Sequence, residues 1–160
     1  MTYREIYRAA LRLLGENETD GDTSDYEDRA TYLLATFCTE QAPIDNRYRL
    51  ANGQGARPAF AKATVELDGW FPLSDIFLPI SEYYLAAMLA MDENEELSDR
   101  YFAMYADALA SVVQHVTKEL TALIEAEKAD AETPPEKEPT EDPKNESVVE
   151  SIKDHYNILH

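Results

Sequence analysis

Apolar positions recur at three- and four-residue steps in four stretches of the chain, and each stretch predicts a helix. In the first, Tyr3, Ile6, Ala10, Leu13 and Leu14 share one face. Thr2 with Glu5 three positions on reads as a capping box, in which each side chain satisfies an orphan amide, and Gly15 supplies the stop. Ser24 and Glu27 repeat that signature ahead of Tyr26, Ala30, Leu33, Leu34 and Phe37. This second helix is expected to end before Pro43, because the residue preceding a proline is pushed out of the helical region. The short polar connection Glu16 to Thr23 predicts that the two pack as an antiparallel hairpin. A third helix is expected from Ser74-Asp75 or, more strictly, from Pro79, which suits a first helical turn; Ile80, Tyr83, Tyr84, Ala87, Met88 and Met91 continue it. After the acidic break Asp92 to Glu96, the positions Leu97, Tyr101, Tyr105, Ala108, Val112, Val116 and Leu123 mark a long fourth helix, expected to be the backbone of the fold.

Between the second and third helices the period is lost. Asn52, Gly53, Gly55, Pro58 and Gly69 punctuate Ile44 to Phe71, and Asn52-Gly53 is a hairpin-turn dipeptide, so a two-stranded ribbon is one expectation for this segment. Beyond Ile124 the composition changes abruptly. Glu125 to Glu146 holds Pro134, Pro135, Pro139 and Pro143, nine acids and three lysines, with no aliphatic residue larger than alanine. Such a stretch reads as an extended, self-repelling linker. Ser147 to Leu159 is apolar again, with Val148, Val149, Ile152, Tyr156, Ile158 and Leu159, and reads as a docking arm. The alternative is that it folds back on its own core. The expected architecture is all-α: a four-helix bundle-like domain over 1–124 with a central irregular loop or β-ribbon, a linker over 125–146 and an extended C-terminal arm over 147–160.

Charge narrows the function classes. The chain of 160 residues has 14 Lys and Arg against 32 Asp and Glu, a formal charge of -18. That excess disfavours tight wrapping around DNA, whose phosphates must be neutralised by cations. One local exception stands out: Asn46 to Lys62 carries Arg47, Arg49, Arg57 and Lys62 and no acid. Such an island suits an acidic partner surface. Cys38 is the only cysteine, so an intrachain disulfide is excluded and a small buried apolar residue is its expected role. Met1 to Leu14 carries Arg4, Glu5, Arg8 and Arg12 with no apolar core of signal-peptide length, and no run approaches the roughly 18 apolar residues of a membrane span. An intracellular protein, or one carried in a particle made there, is expected.

Candidate chemistry is sparse. Glu16, Glu18, Asp20, Gly21 and Glu27 occupy positions 1, 3, 5, 6 and 12 of a calcium-loop spacing. Position 1 is the longer Glu, position 8 is Thr23, and Glu27 is already used by the expected capping box. A solvated acidic loop is therefore the preferred reading. His115, His155 and His160 have no partner at ligand spacing, and His115 is expected to be partly buried. Gly53-Gln54-Gly55 lacks the strand, third glycine and helix of a nucleotide loop. No catalytic, cofactor or metal site is assigned. Tyr83, Tyr84, Tyr101 and Tyr105 suit either a subunit interface or a tyrosine-rich core.

The order Thr64-Val65-Glu66-Leu67, Phe71-Pro72-Leu73, Leu78-Pro79-Ile80-Ser81-Glu82-Tyr83-Tyr84-Leu85-Ala86-Ala87-Met88-Leu89 and Tyr101-Phe102-Ala103-Met104-Tyr105 resembles the small helical head-to-tail adaptors (connectors) of tailed bacteriophages. Leu14-Gly15-Glu16 and Tyr26 with Arg29-Ala30 are in keeping. The likeness spans most of residues 1–110. The long acidic linker has no counterpart in the family. The resemblance implies a structural, non-enzymatic protein of the virion neck, assembled in the bacterial cytoplasm. It implies a homo-oligomeric, dodecameric ring beneath the portal protein that also meets a tail or stopper protein, and a C-terminal arm that grips the portal. Genomic DNA would pass through the channel without specific binding, past acidic walls that do not hold phosphate. The alternative function is an acidic DNA mimic that inhibits a nucleic-acid enzyme; nine of the acids lie in the expected linker, which weakens it.

Overall fold

The computed structural model describes residues 1–19 and 23–132. They form four α-helices, α1 Tyr3–Leu14, α2 Ser24–Ala51, α3 Leu78–Ala90 and α4 Glu95–Glu132, with a 3-10 turn Asp75–Phe77 leading into α3. The protein is all-α, with no strand among the described residues. A unit Met1–Glu125 holds the core, and a second unit begins at Ala126. Among the described residues no helix is long and apolar enough to cross a membrane.

α1 forms as its sequence dictates. Glu5 N–H donates to the Thr2 hydroxyl while Thr2 N–H donates to the Glu5 carboxylate, the reciprocal capping box. At the other end Gly15 takes φ 82°, and Glu16 N–H reaches Leu11 O at 2.9 Å, which closes a Schellman stop. The central segment completes the start: Tyr3 N–H donates to Gly69 O at 3.0 Å and Arg4 N–H to Leu67 O at 2.6 Å. Two first-turn amides that have no partner within the helix are thereby satisfied.

α2 departs from expectation at both ends. Its N-cap is Thr23, without a side-chain cap; the Glu27 carboxylate turns to Arg4 instead of closing a box with Ser24. The helix then runs through Pro43 to Ala51. Pro43 removes the amide that would bond Thr39 O, but both residues are exposed, so water can take that carbonyl. Beyond the proline, Ile44 and Tyr48 pack against the core and Asp45 is buried, contacts that offset the lost bond. Asn52-Gly53 is the helix stop and not a hairpin turn: Gly53 has φ 68°, and Gln54 N–H reaches Arg49 O at 2.8 Å. A glycine at positive φ serves either structure, which is why the dipeptide read ambiguously.

No ribbon forms between α2 and α3. The segment is irregular, with one isolated bridge, Thr2 to Trp70. Its anchors are Val65, Leu67 and Leu73, all buried. α3 is apolar on nearly every side: Ile80, Ser81, Tyr84, Leu85, Ala86, Ala87, Leu89 and Ala90 are buried. It is the central element, packed along both α1 and α2, which touch one another much less than the expected hairpin requires. Small residues permit the close approach; Ala10, Ala30, Ala35 and Ala86 are all fully buried.

α4 starts at an unforeseen cap, with Asn94 Oδ1 accepting from Leu97 N–H at 3.0 Å. Tyr101 donates to Leu13 O, Ser98 to Ala87 O, and the ring of Tyr105 lies 5.5 Å from that of Tyr84, so the helix crosses the ends of α1 and α3. Val112 and Val116 are buried, but Leu123 is exposed, contrary to its place in the apolar pattern. The helix also continues through residues 125–132, inside the segment expected to be linker. Ala126, Ala129, Glu125, Glu127 and Lys128 are strong helix formers, and the prolines begin only at Pro134. Lack of apolar side chains argues against burial there, not against winding.

Candidate protein-binding surfaces

The cationic island straddles a helix end. Arg47 and Arg49 lie on the last turns of α2, and the loop beyond is laced back to it. Asn46 Oδ1 accepts from Arg57 N–H at 2.8 Å, Asn46 Nδ2 donates to Arg57 O at 3.1 Å, and Arg49 Nε donates to Gly55 O at 2.8 Å. Three of the cations are thus gathered at one end of the helix. Arg47, Arg57 and Lys62 border different hollows, however. Arg47 lines a groove between α2 and α4, Arg57 a hollow with Asp45, Phe60 and Leu73, and Lys62 a third with Tyr3, Phe60 and Trp70. Among the described residues none of the four is in an ion pair, whereas Arg4, Arg8 and Arg29 are. The α2–α4 groove measures about 320 Å³ and is otherwise lined by Ile44, Val113, Val116, Thr117, Leu120 and Thr121.

Large apolar side chains on the surface were not legible as such in the sequence. Trp70 is 76% exposed beside the Lys62 hollow, and Leu50 is 52% exposed on α2. At the other end of the molecule Met91 and Phe102 stand out, 51% and 52% exposed, around a notch lined by Asp92, Glu93, Glu95, Ser98 and Asp99. Phe102 sits beside Tyr101, which is buried, and only the tertiary contact of Tyr101 with α1 decides which of the two faces inward. The tyrosines are mainly core. Tyr84 and Tyr101 are buried, Tyr83 and Tyr105 half-buried, and burial pushes the Tyr84 hydroxyl up to about 12. Cys38 is fully buried beside the Tyr3 hydroxyl, and burial pushes its thiol up to about 12, as befits an unreactive core residue.

Glu18 and Glu27, two acids of the calcium-like spacing, are paired with arginines. Arg4 Nη1 lies 2.7 Å from Glu18 and 3.3 Å from Glu27, its Nε 2.6 Å from Asp68, and Arg8 Nε 2.5 Å from Glu18. One guanidinium therefore ties α1 to the following connection, to α2 and to the central segment. Asp20 and Gly21 lie outside the described residues, as do His155 and His160. His115 is exposed rather than partly buried, its ring 6.3 Å from that of Tyr48. Hydrogen bonds from Arg8 and Arg4 hold the Glu18 carboxylate below its usual range, and Arg4 does the same for Asp68.

The sign of the resulting pH effect follows from those depressed values. Stability from these pairs is present above the ordinary carboxylate range, near 4, and is lost as pH falls through the lower folded-state values. The expected result is a melting-temperature difference between the parent and Arg4→Met that is largest near pH 6 to 7 and shrinks below about pH 4. Taking the difference removes the general relief of repulsion that acid brings to a chain of charge -18. A pH-independent difference would show that the ion pairs contribute nothing beyond packing.

Val148, Val149, Ile152, Tyr156, Ile158 and Leu159, the expected docking arm, lie outside the described residues. No protein-family model, curated protein or solved structure matches the chain.

Proposed function

We propose that the protein is a structural adaptor of a tailed-phage neck, acting through ring assembly and arm docking rather than through chemistry. The observation that carries this reading is the ordered set of motifs from Thr64 to Tyr105 resembling head-to-tail adaptors. It is supported by α3 and α4, onto whose adjoining lengths the Leu78 to Leu89 and Tyr101 to Tyr105 motifs fall. Contacts of Tyr84 with Phe37 and with Tyr105, which join α3 to α2 and to α4, are in keeping with a four-helix bundle-like domain. In this reading the ring, a dodecamer, sits beneath the portal protein and meets a tail or stopper protein on its other side. The acidic surface passes genomic DNA without holding it, and the Ser147 to His160 arm grips the portal.

The deciding measurement is size-exclusion chromatography with light scattering, on the protein alone and mixed with the portal protein of the same phage, for the full chain and for a chain ending at Ile124. Rings or portal complexes formed by the full chain and lost on truncation are the expected result. Indifference of both chains to the portal would overturn the adaptor reading and favour the acidic inhibitor, which is tested by adding the protein to DNA-processing enzymes.

A further inference from the structure

The geometry points to a head-to-tail contact between copies of this chain, in which Phe102 of one copy enters the α2–α4 groove of the next while Arg47 at that groove meets Glu95 and Asp99. This deepens the ring reading and rests on it for its end product. The two halves are complementary in shape and charge. On one side Phe102 and Met91 project among carboxylates. Of these acids, Asp92 is paired with Arg29 and Glu93 accepts from Tyr26, while Glu95 and Asp99 have no cationic partner among the described residues. On the other side is an apolar groove in which Arg47 is the one charged lining residue. Its volume, about 320 Å³, exceeds the roughly 150 Å³ that accommodates a benzene ring.

The halves cannot meet within one molecule. Phe102 and the centre of the groove, near Thr117, lie on the same continuous helix, and at about 1.5 Å per residue they are roughly 22 Å apart along it. Only a second copy can bring them together. Because the contact joins two different surfaces, it is heterologous, and repetition gives a closed ring or an open chain. An aromatic anchor in an apolar pocket, bordered by a charge pair, is the usual composition of an interface centre.

The test is sedimentation velocity of the full-length protein over a concentration series, with Arg47→Glu and Phe102→Ser as variants. Both positions are exposed, so thermal melts of the two should match the parent. Each variant alone is expected to associate at least about 30-fold more weakly, as expected for a hot-spot side chain. A one-to-one mixture should form a pair and nothing larger, since the Phe102 of one variant and the groove of the other remain intact. Assembly of either variant like the parent would overturn this contact while leaving ring formation standing. Failure of the mixture to pair overturns it as well, as does a parent chain that remains monomeric at every concentration. In that last case the adaptor reading is decided separately by the portal mixture.

Discussion

Replacing Phe37 by alanine is expected to destabilise the protein by about 3–5 kcal/mol, lowering its melting temperature by roughly 10–20 °C. The side chain is fully buried on α2. Its ring lies 5.3 Å from Tyr84 on α3, 6.3 Å from Phe71 in the central segment and 6.5 Å from Tyr105 on α4. Phe71 in turn meets Tyr3 edge-on, so Phe37 is the hub of an aromatic chain linking all four helices. Deleting it removes the transfer free energy of a large apolar group and leaves a cavity whose walls belong to four elements, which cannot collapse together. Phe37→Leu, which keeps most of the volume, should cost less than half as much. Urea unfolding of both variants checks this, and equal losses would show that ring contacts rather than volume set the cost.

Asp45→Ala is expected to cost about 1–2 kcal/mol, and the reason is a single hydrogen bond. Asp45 is 1% exposed, and its Oδ1 accepts from Ser74 N–H at 2.9 Å where the chain enters the 3-10 turn ahead of α3. Removal leaves that amide without its acceptor, a penalty of about 1–3 kcal/mol. Alanine recovers up to about 0.7 kcal/mol through its better helix propensity, which sets the net figure. Asp45→Asn retains an acceptor and should unfold nearer to the parent. If Asn and Ala prove equally destabilising, the carboxylate charge rather than the acceptor is what matters at this position.

How legible each element was depends on the range of the interactions that build it. The capping box at Thr2 and the stop at Gly15 involve residues three to five positions apart, and both were readable in full. Pro43 and Asn52-Gly53 misled because their local preferences are shared by two outcomes. A proline can end a helix or sit on its wet face, and a glycine at positive φ can turn a hairpin or close a helix. Tertiary contacts of Ile44, Asp45 and Tyr48 settled the matter. Glu27 was misassigned for a related reason: its expected partner Ser24 is nearby in sequence, whereas its actual partner Arg4 comes from another helix.

The candidate surfaces follow the same division. The cationic character of Asn46 to Lys62 is a matter of composition and was visible at once, but whether its four cations share one hollow depends on where α2 ends, and they do not. By itself the sequence determined the helical class, the start and stop of α1, and the charge that sets what the surface can attract; that α3, and not the longer α4, is the central element was decided by packing. Periodicity, capping and net charge are local or additive properties, so the chain carries them in any conformation. Tertiary structure alone decided the path of the central segment over the α1 amides, the outward place of Trp70 and Phe102, and the groove between α2 and α4. Each of these depends on which distant side chains compete for the same buried space, and that competition exists only once the helices have packed.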